Sequence, residues 1–238
     1  MCYIRVAPLL IYSNKNFFKG ITIVRSYESF LRLEELFYKF LKRFFDIIVS
    51  LLCLIIFSPV MLIVAIAIKC DSKGPVIFKQ PRMGRNNKPF MCYKFRSMRI
   101  DAPKNMATSL LTDPGQYHTK VGKFIRKLSL DELPQFWNVF IGTMSFIGYR
   151  PLVLTEEKCN EMRNELGVFS VRPGISGYAQ VLGRDEVYYK NKAILDAIYV
   201  KKASLWFDIK LVFKTVAVVL KRDGNNDRKK NKPKEEKK

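Results

Sequence analysis

Between Ile47 and Ile68 the chain runs for 22 positions without a charged side chain. A helix of that length extends about 33 Å at ~1.5 Å per residue, enough to cross the roughly 30 Å hydrocarbon core of a bilayer. A single spanning helix is the simplest reading, and two features oppose it. Ser58-Pro59 stands near the middle of the run. A proline there removes one backbone hydrogen bond and crowds the preceding turn, at a cost of about 3 kcal/mol. Spanning helices tolerate such a residue, and the Ser58 hydroxyl can satisfy a freed carbonyl. The second feature is flanking charge. Residues 1–43 hold eight Lys/Arg against three acids, and Lys69 and Lys73 open a basic stretch on the far side. Basic flanks stay in the cytoplasm, so both ends are expected there. A re-entrant hairpin broken at Ser58-Pro59, with arms Ile47–Phe57 and Val60–Ile68, satisfies both conditions.

The segment before the apolar run is amphipathic. Leu33, Leu36, Phe37, Phe40, Leu41, Phe44, Phe45 and Ile48 recur at helical steps, with Arg32, Glu34, Glu35, Lys39, Lys42, Arg43 and Asp46 on the other face. A core helix would show the same pattern; the apolar sequel favours a membrane surface. No cleavable signal peptide is evident near the start.

Charge narrows the partners. The formal charge is +21 in 238 residues, yet 48% of them are hydrophobic. That apolar content excludes a disordered basic chromatin-type protein. The surplus calls for an anionic partner: nucleic acid, a phospholipid surface or phosphorylated small molecules. His118 is the sole histidine, so a histidine-ligated zinc cluster is excluded, and a Ser-His-Asp triad would rest on that residue. The five cysteines, Cys2, Cys53, Cys70, Cys92 and Cys159, show no Cys-x-x-Cys spacing, which fits a reduced, cytoplasm-facing protein. A carboxylate is then the natural acid, base or nucleophile.

The chain is expected to divide into an N-terminal segment 1–30, an amphipathic and membrane helix 31–72, a body 73–220 and a basic tail 221–238 expected to be disordered. Within the body, Val76–Lys79 and Phe90–Phe95 read as a β-hairpin, and 101–119 as loop. Helical patterns cover Thr119–Lys127, Leu130–Phe140, Leu152–Leu166 and Tyr188–Ala203, with turns at Arg172-Pro173-Gly174 and Gly177. Leu205–Leu220 suits either a core or a lipid interface. The expected class is α+β and helix-rich: a monotopic membrane protein with interfacial helices and a small β-hairpin.

No Gly-x-x-x-x-Gly-Lys-Ser/Thr or Gly-x-Gly-x-x-Gly loop is present. The chemistry concentrates instead in Arg126-Lys-Leu-Ser-Leu-Asp-Glu-Leu-Pro-Gln135, where Asp131 and Glu132 adjoin. Ser129-x-x-Glu132 matches a capping box, which would make both residues mere helix starters, although Pro134 then occupies a position that already needs a donor. The functional reading uses the same place. A helix N-terminus favours anions, an ionised aspartate can attack phosphorus, and a neighbouring glutamate can hold Mg²⁺ with substrate phosphates. Phosphoryl transfer also needs cations. Lys94-Phe95-Arg96, Gly148-Tyr149-Arg150 and Gly183-Arg184 each set one beside a turn or strand end.

Taken with the apolar segment, these residues make the chain resemble the bacterial sugar transferases, monotopic phosphoglycosyl transferases that act on polyprenyl phosphate. The resemblance rests on ordered blocks between about Phe40 and Leu220: Lys42-Arg43-x-x-Asp46, Ser58-Pro59, Gly74-Pro75-Val76-x-Phe78-x-Gln80-x-Arg82-x-Gly84, Lys94-Phe95-Arg96-Ser97-Met98, Ser129-Leu-Asp-Glu-Leu-Pro-Gln135 with Trp137-Asn138-Val139, Met144-Ser145-x-x-Gly148-x-Arg150-Pro151-Leu152, Arg172-Pro173-Gly174-x-x-Gly177-x-Ala179-Gln180-Val181-x-Gly183-Arg184 and Asp196-x-x-Tyr199-Val200. It implies transfer of a sugar-1-phosphate from a UDP-sugar to polyprenyl (undecaprenyl) phosphate, with release of UMP, as the first membrane step of surface glycan assembly. Asp131 would be the nucleophile and Glu132 the Mg²⁺ ligand. Lys94, Arg96, Arg126, Arg150 and Arg184 would contact phosphate or nucleotide, and Asp196 would give polar support. The active site would face the cytoplasm at the inner membrane, with membrane lipid and no nucleic acid as partner. The competing expectation is a basic membrane-anchored module that binds nucleic acid or anionic lipid without catalysis. Thr143, Tyr149, Tyr178 and Tyr189 depart from the family pattern, and none touches the Asp131-Glu132 pair.

Overall fold

The apolar run folds as part of one long helix. The computed structural model of the chain describes residues 14–103, 114–183 and 189–220. Arg184 and the tail 221–238 lie outside the described residues, as does the start of segment 1–30. Helix α1 spans Asn14–Asp71 and contains Pro59. Helical backbone continues through Ser58-Pro59, and the two arms expected on either side of it both lie within α1. The reason is local. Pro59 has no N–H to give the carbonyl four residues back, that of Ile55. Ser58 Oγ donates to that same oxygen at 2.7 Å. The lost backbone bond is replaced by a side-chain bond one residue earlier.

After α1 come strands β1 (Ile77–Met83) and β2 (Pro89–Phe95), then α2 (Lys120–Lys127), α3 (Gln135–Ile141), β3 (Ser145–Ile147), α4 (Glu157–Glu165), β4 (Gly174–Ser176), α5 (Tyr178–Gly183), α6 (Tyr189–Lys202) and α7 (Leu205–Leu220). β1 and β2 are antiparallel, with Ile77 opposite Phe95 and Met83 opposite Pro89, which is the expected hairpin with a longer first strand. Asn86 and Asn87 take the left-handed conformation in its turn, which asparagine tolerates well. The parallel pairing of β3 and β4 was not anticipated. Three glycines permit it. A Cβ on Gly177 would stand 1.8 Å from the Gly148 carbonyl oxygen, and one on Gly174 would stand 2.1 Å from the Gly148 nitrogen. Neither position accepts a side chain.

Four residues at the end of the amphipathic stretch tie α1 to this body. Lys42 Nζ lies 2.5 Å from Asp208 Oδ2 on α7, and Tyr38 Oη donates to the same oxygen at 2.9 Å. Tyr199 Oη on α6 donates to Asp208 Oδ1 at 2.8 Å. Arg43 donates to the carbonyls of Val139 and Phe140, both at 2.7 Å, satisfying the open end of α3. Asp46 is buried and accepts from Ser145 Oγ and from the Phe146 N–H on β3. Further along, Phe57 stacks on Phe136, and Val64 and Ile68 join Phe95, Ile125 and Leu133 in a core cluster. The same body therefore holds residues before and after the middle of the apolar run. Most of that run faces outward: Ile55, Ile56, Leu62, Ile63 and Ile66 are exposed.

Helix α7 packs on the core by one face and leaves an apolar face exposed. Phe207 and Leu211 pack with Ile147 and Tyr199, while Trp206, Ile209, Val212, Phe213 and Val216 are exposed.

The Ser58 bond has a measurable consequence. In a detergent micelle, where water does not replace it, Ser58→Ala is expected to leave the Ile55 carbonyl unpaired and cost about 1–3 kcal/mol. In a Pro59→Ala background, which restores the backbone donor, the same change is expected to cost little. A thermal double-mutant cycle with equal losses in both backgrounds would refute the substitution of one bond for the other.

Candidate active site

Asp131 and Glu132 do not open a long helix. The expected helix Leu130–Phe140 divides into a 3-10 turn, Leu130–Glu132, and α3 from Gln135. Ser129 is not an N-cap: its φ is 56°, left-handed, and its side chain makes no capping bond. It lies instead just beyond the C-terminus of α2, where its N–H returns to the Arg126 carbonyl. A left-handed residue after a helix end is a chain-reversal device. Here it swings the chain so that the next two carboxylates face β2. The capping-box reading is therefore overturned, and Pro134 fits because α3 begins immediately after it.

The cations arrive from three directions. Lys94, near the end of β2, places Nζ 2.6 Å from Glu132 Oε1. Arg150, in the loop after β3, brings a guanidinium nitrogen to 3.4 Å of the same oxygen. Arg126, in the last turn of α2, acts on the Asp131 charge together with Lys94 and Arg150. Lys94 is held in register by Asn138. The Asn138 side chain accepts from the Tyr93 N–H at 2.9 Å and donates to the Met91 carbonyl at 2.8 Å. Thr143, one of the departures from the family pattern, joins this arrangement by accepting from Asn138 Nδ2 at 3.0 Å.

The two adjacent carboxyls are driven apart. Burial pushes both up. At Glu132 the positive charges of Lys94 and Arg150 outweigh burial, and its carboxyl is held at about 2 against an ordinary 4.5. At Asp131 burial wins, reinforced by the negative charge of Glu132 and opposed by Lys94, Arg126 and Arg150, so its carboxyl lies above the ordinary value. Glu132 is thus the more acidic of the pair and Asp131 the less acidic.

Other expected site residues are placed differently. Arg96 is buried and its guanidinium is directed at the end of α1, donating to the Lys73 carbonyl and, at 2.8 and 2.9 Å, to the carbonyl and hydroxyl of Ser72. The structure does not bring it to the carboxylate pair. Asp196 is fully buried and pairs with Arg163. Arg184 lies outside the described residues.

Two arginines absent from the expected site set lie close behind it. Arg82 donates to the Pro151 carbonyl at 2.6 Å and to Gln80 Oε1 at 2.7 Å, and its charge helps to hold Glu132 ionised. Its signal was the block Gln80-x-Arg82-x-Gly84. Arg163 sits in a stretch with no motif around it.

The donor set suits a small hard cation. Mg²⁺ takes oxygen ligands and commonly only one or two carboxylates, with phosphate oxygens completing the shell. Glu132, an ionised carboxylate beside Asp131, meets that requirement. Among the described residues no group of three or more His, Cys, Asp or Glu gathers to form an all-protein cage.

The Glu132 pairing predicts an acid limb in stability. A carboxyl held at about 2 contributes fully above about pH 4.5 and loses that contribution as pH falls toward 2. Glu132→Gln is expected to flatten the pH–stability curve in that window, read by denaturant unfolding. An unchanged slope would mean that Lys94 and Arg150 do not hold the carboxylate.

Comparison with known proteins follows the same residues. Positions 37–222 match the family described as bacterial sugar transferase. An uncharacterized sugar transferase of Haemophilus influenzae is 43% identical over 206 residues, covering 81% of this chain and 43% of that protein. An undecaprenyl-phosphate galactose phosphotransferase of Salmonella typhimurium is 42% identical over 202 residues, covering 78% and 42%. A UDP-glucose:undecaprenyl-phosphate glucose-1-phosphate transferase of Escherichia coli is 39% identical over 218 residues, covering 87% and 45%. The chain spans under half the length of these relatives. With the carboxylate pair, its cations and the docking residues of α1 all inside the matched region, the chain belongs to the bacterial sugar transferase family.

Proposed function

We propose that this protein transfers a sugar-1-phosphate from a UDP-sugar to a polyprenyl phosphate, undecaprenyl phosphate in particular, as the first membrane step of surface glycan assembly. The observation that carries the reading is a pair of adjacent carboxyls pushed in opposite directions under Lys94, Arg126 and Arg150. That is an arrangement for anionic substrates. Relatives named for galactose and glucose phosphotransfer to undecaprenyl phosphate support the substrate classes.

In the reaction, an Asp131 carboxylate oxygen attacks the β-phosphorus of the UDP-sugar. The bond from that phosphorus to the bridging oxygen breaks, and UMP leaves with the oxygen. The phosphosugar is then joined to Asp131 through an acyl phosphate. An oxygen of the polyprenyl phosphate attacks the same phosphorus, the bond to Asp131 breaks, and the sugar leaves on a polyprenyl diphosphate. A bound phosphate also favours the ionised form of the cations around it. Arg126 and Arg150 lie where they can spread charge on the transferring group, and Lys94 fixes Glu132. Glu132 would hold Mg²⁺, which neutralises and orients phosphate oxygens when bound.

The apolar part of α1 is read as re-entrant, with both ends at the cytoplasmic face of the inner membrane. One body contacts Arg43 and Asp46 ahead of the run and Val64, Ile68 and Asp71 at and beyond its end. A span would carry those contacts to opposite sides of the bilayer. The exposed apolar side chains of α1 and α7 then meet lipid.

Asp131→Asn and Asp131→Ala are expected to abolish UMP release in the presence of UDP-sugar, polyprenyl phosphate and Mg²⁺. Glu132→Gln is expected to reduce it by about 10²-fold or more and to weaken its Mg²⁺ dependence. Full turnover by Asp131→Ala would end the covalent route. Cysteine labelling at either end of the apolar run is expected to find both ends cytoplasmic, and a periplasmic N-terminal end would overturn the re-entrant path.

A further inference from the structure

The loop that carries Arg150 is held by an unusual succession of bonds. Four consecutive carbonyls are each taken by a different partner. Arg163 donates to Arg150 O at 2.9 Å, and Arg82 donates to Pro151 O at 2.6 Å. The Met83 N–H donates to Leu152 O at 3.1 Å, and Asn160 Nδ2 donates to Val153 O at 3.1 Å. Arg163 differs from the others in how it is itself fixed. It is wholly buried, with its second guanidinium arm 2.5 Å from Asp196 Oδ2 on α6. The fully buried Tyr149 ring lies under it, 5.3 Å from centroid to guanidinium carbon. A charge this deep is retained only where a partner and hydrogen bonds compensate its desolvation. Here one end of the planar fork meets the carboxylate and the other meets the peptide group of a residue that reaches the active carboxylates.

We infer that Arg163, held by Asp196, is a positioning residue for the transfer reaction, acting through Arg150, whose backbone it pins so that the guanidinium meets Glu132 and the phosphates of the donor. The inference rests on the reaction proposed above. Lysine does not replace arginine in this role. An ammonium can pair with Asp196 as a point charge, but it lacks the rigid fork that spans from that carboxylate to the Arg150 carbonyl. The distinction matters because displacement of a substrate-positioning group by about 1 Å can cost about 10²-fold in rate.

The test is a double-mutant cycle on UMP release, using UDP-glucose, UDP-galactose and UDP-N-acetylgalactosamine as donors, in the full chain. Arg163→Met and Arg163→Lys are each expected to lower kcat by about 10–10²-fold, and Asp196→Asn is expected to act in the same direction. In an Arg150→Ala background the same Arg163 changes are expected to cost little further turnover, while their effect on thermal stability persists. A merely structural role predicts the reverse: turnover losses that multiply in the double variant, or that track the fraction folded. Either result overturns the inference, as does wild-type kcat in Arg163→Lys. Hydrogen exchange over residues 148–153 supplies a readout that needs no substrate. Faster exchange in folded Arg163→Lys is expected, and unchanged protection there overturns the pinning. If the wild type turns over none of the donors, the proposed reaction falls, and the exchange measurement still decides whether Arg163 holds the loop.

Discussion

Helix α1 is the element on which the remainder is built, and its attachment depends on three charged residues at the edge of its apolar run. Lys42, Arg43 and Asp46 fall within four positions of the sequence, yet each reaches a different part of the body: Asp208 on α7, the C-terminal carbonyls of α3, and Ser145–Phe146 on β3. Breaking a buried, hydrogen-bonded charge in such a place costs about 3–5 kcal/mol, because its partner is left unpaired in low dielectric. The spacing lets one helix face engage two neighbours and the preceding turn engage a third. This explains why a basic motif ahead of a membrane segment does more than sit among head groups. It fixes the body to the helix just ahead of the apolar run.

The same logic of charge committed at close range governs the active carboxylates. Glu132 is held ionised by Lys94 and Arg150, and that commitment raises the cost of a second negative charge beside it. The Asp131 carboxyl is correspondingly raised above its ordinary value. The proposed use of Asp131 as nucleophile calls for no histidine base, and His118 contacts the Ser97 carbonyl. Ser129 contributes through its backbone alone. By taking the left-handed conformation after α2 it puts two acidic residues at the turn between helices rather than along one, where i and i+1 side chains would diverge.

Much of this was legible in the sequence, for identifiable reasons. The helices at Lys120–Lys127 and Tyr189–Lys202 lie within one or two residues of their expected limits, and the β-hairpin carries a strong turn signal although its first strand runs four residues further than expected. The Ser58 hydroxyl was a visible candidate for the carbonyl released by Pro59, and it takes that role. The capping box failed because Ser-x-x-Glu encodes a side-chain option that the backbone at Ser129 never takes up. The helix expected from Leu152 begins only at Glu157, because the carbonyls of Leu152 and Val153 are occupied by Met83 and Asn160. Strands β3 and β4 have three residues each, too few for an alternating pattern to register. Arg96 stands within a charged motif, but its bonds go to the end of α1, a partnership between positions 24 residues apart that spacing does not reveal.

Six of the cations behind the net charge of +21 divide by depth. Arg82, Arg96 and Arg163 form an interior set whose guanidinium groups hold backbone carbonyls at 151, 72–73 and 150. Lys94, Arg126 and Arg150 form an intermediate set around the carboxylates. Arginine predominates inside because its fork can bond two acceptors while remaining charged, which an ammonium does less well. The interior set costs desolvation, and through Arg163 and Arg82 it fixes the backbone at Arg150 and Pro151 in return. A soluble basic surface could attract a phosphorylated donor equally well. A cation whose backbone is itself held, as that of Arg150 is by Arg163, offers in addition a fixed position beside the carboxylates.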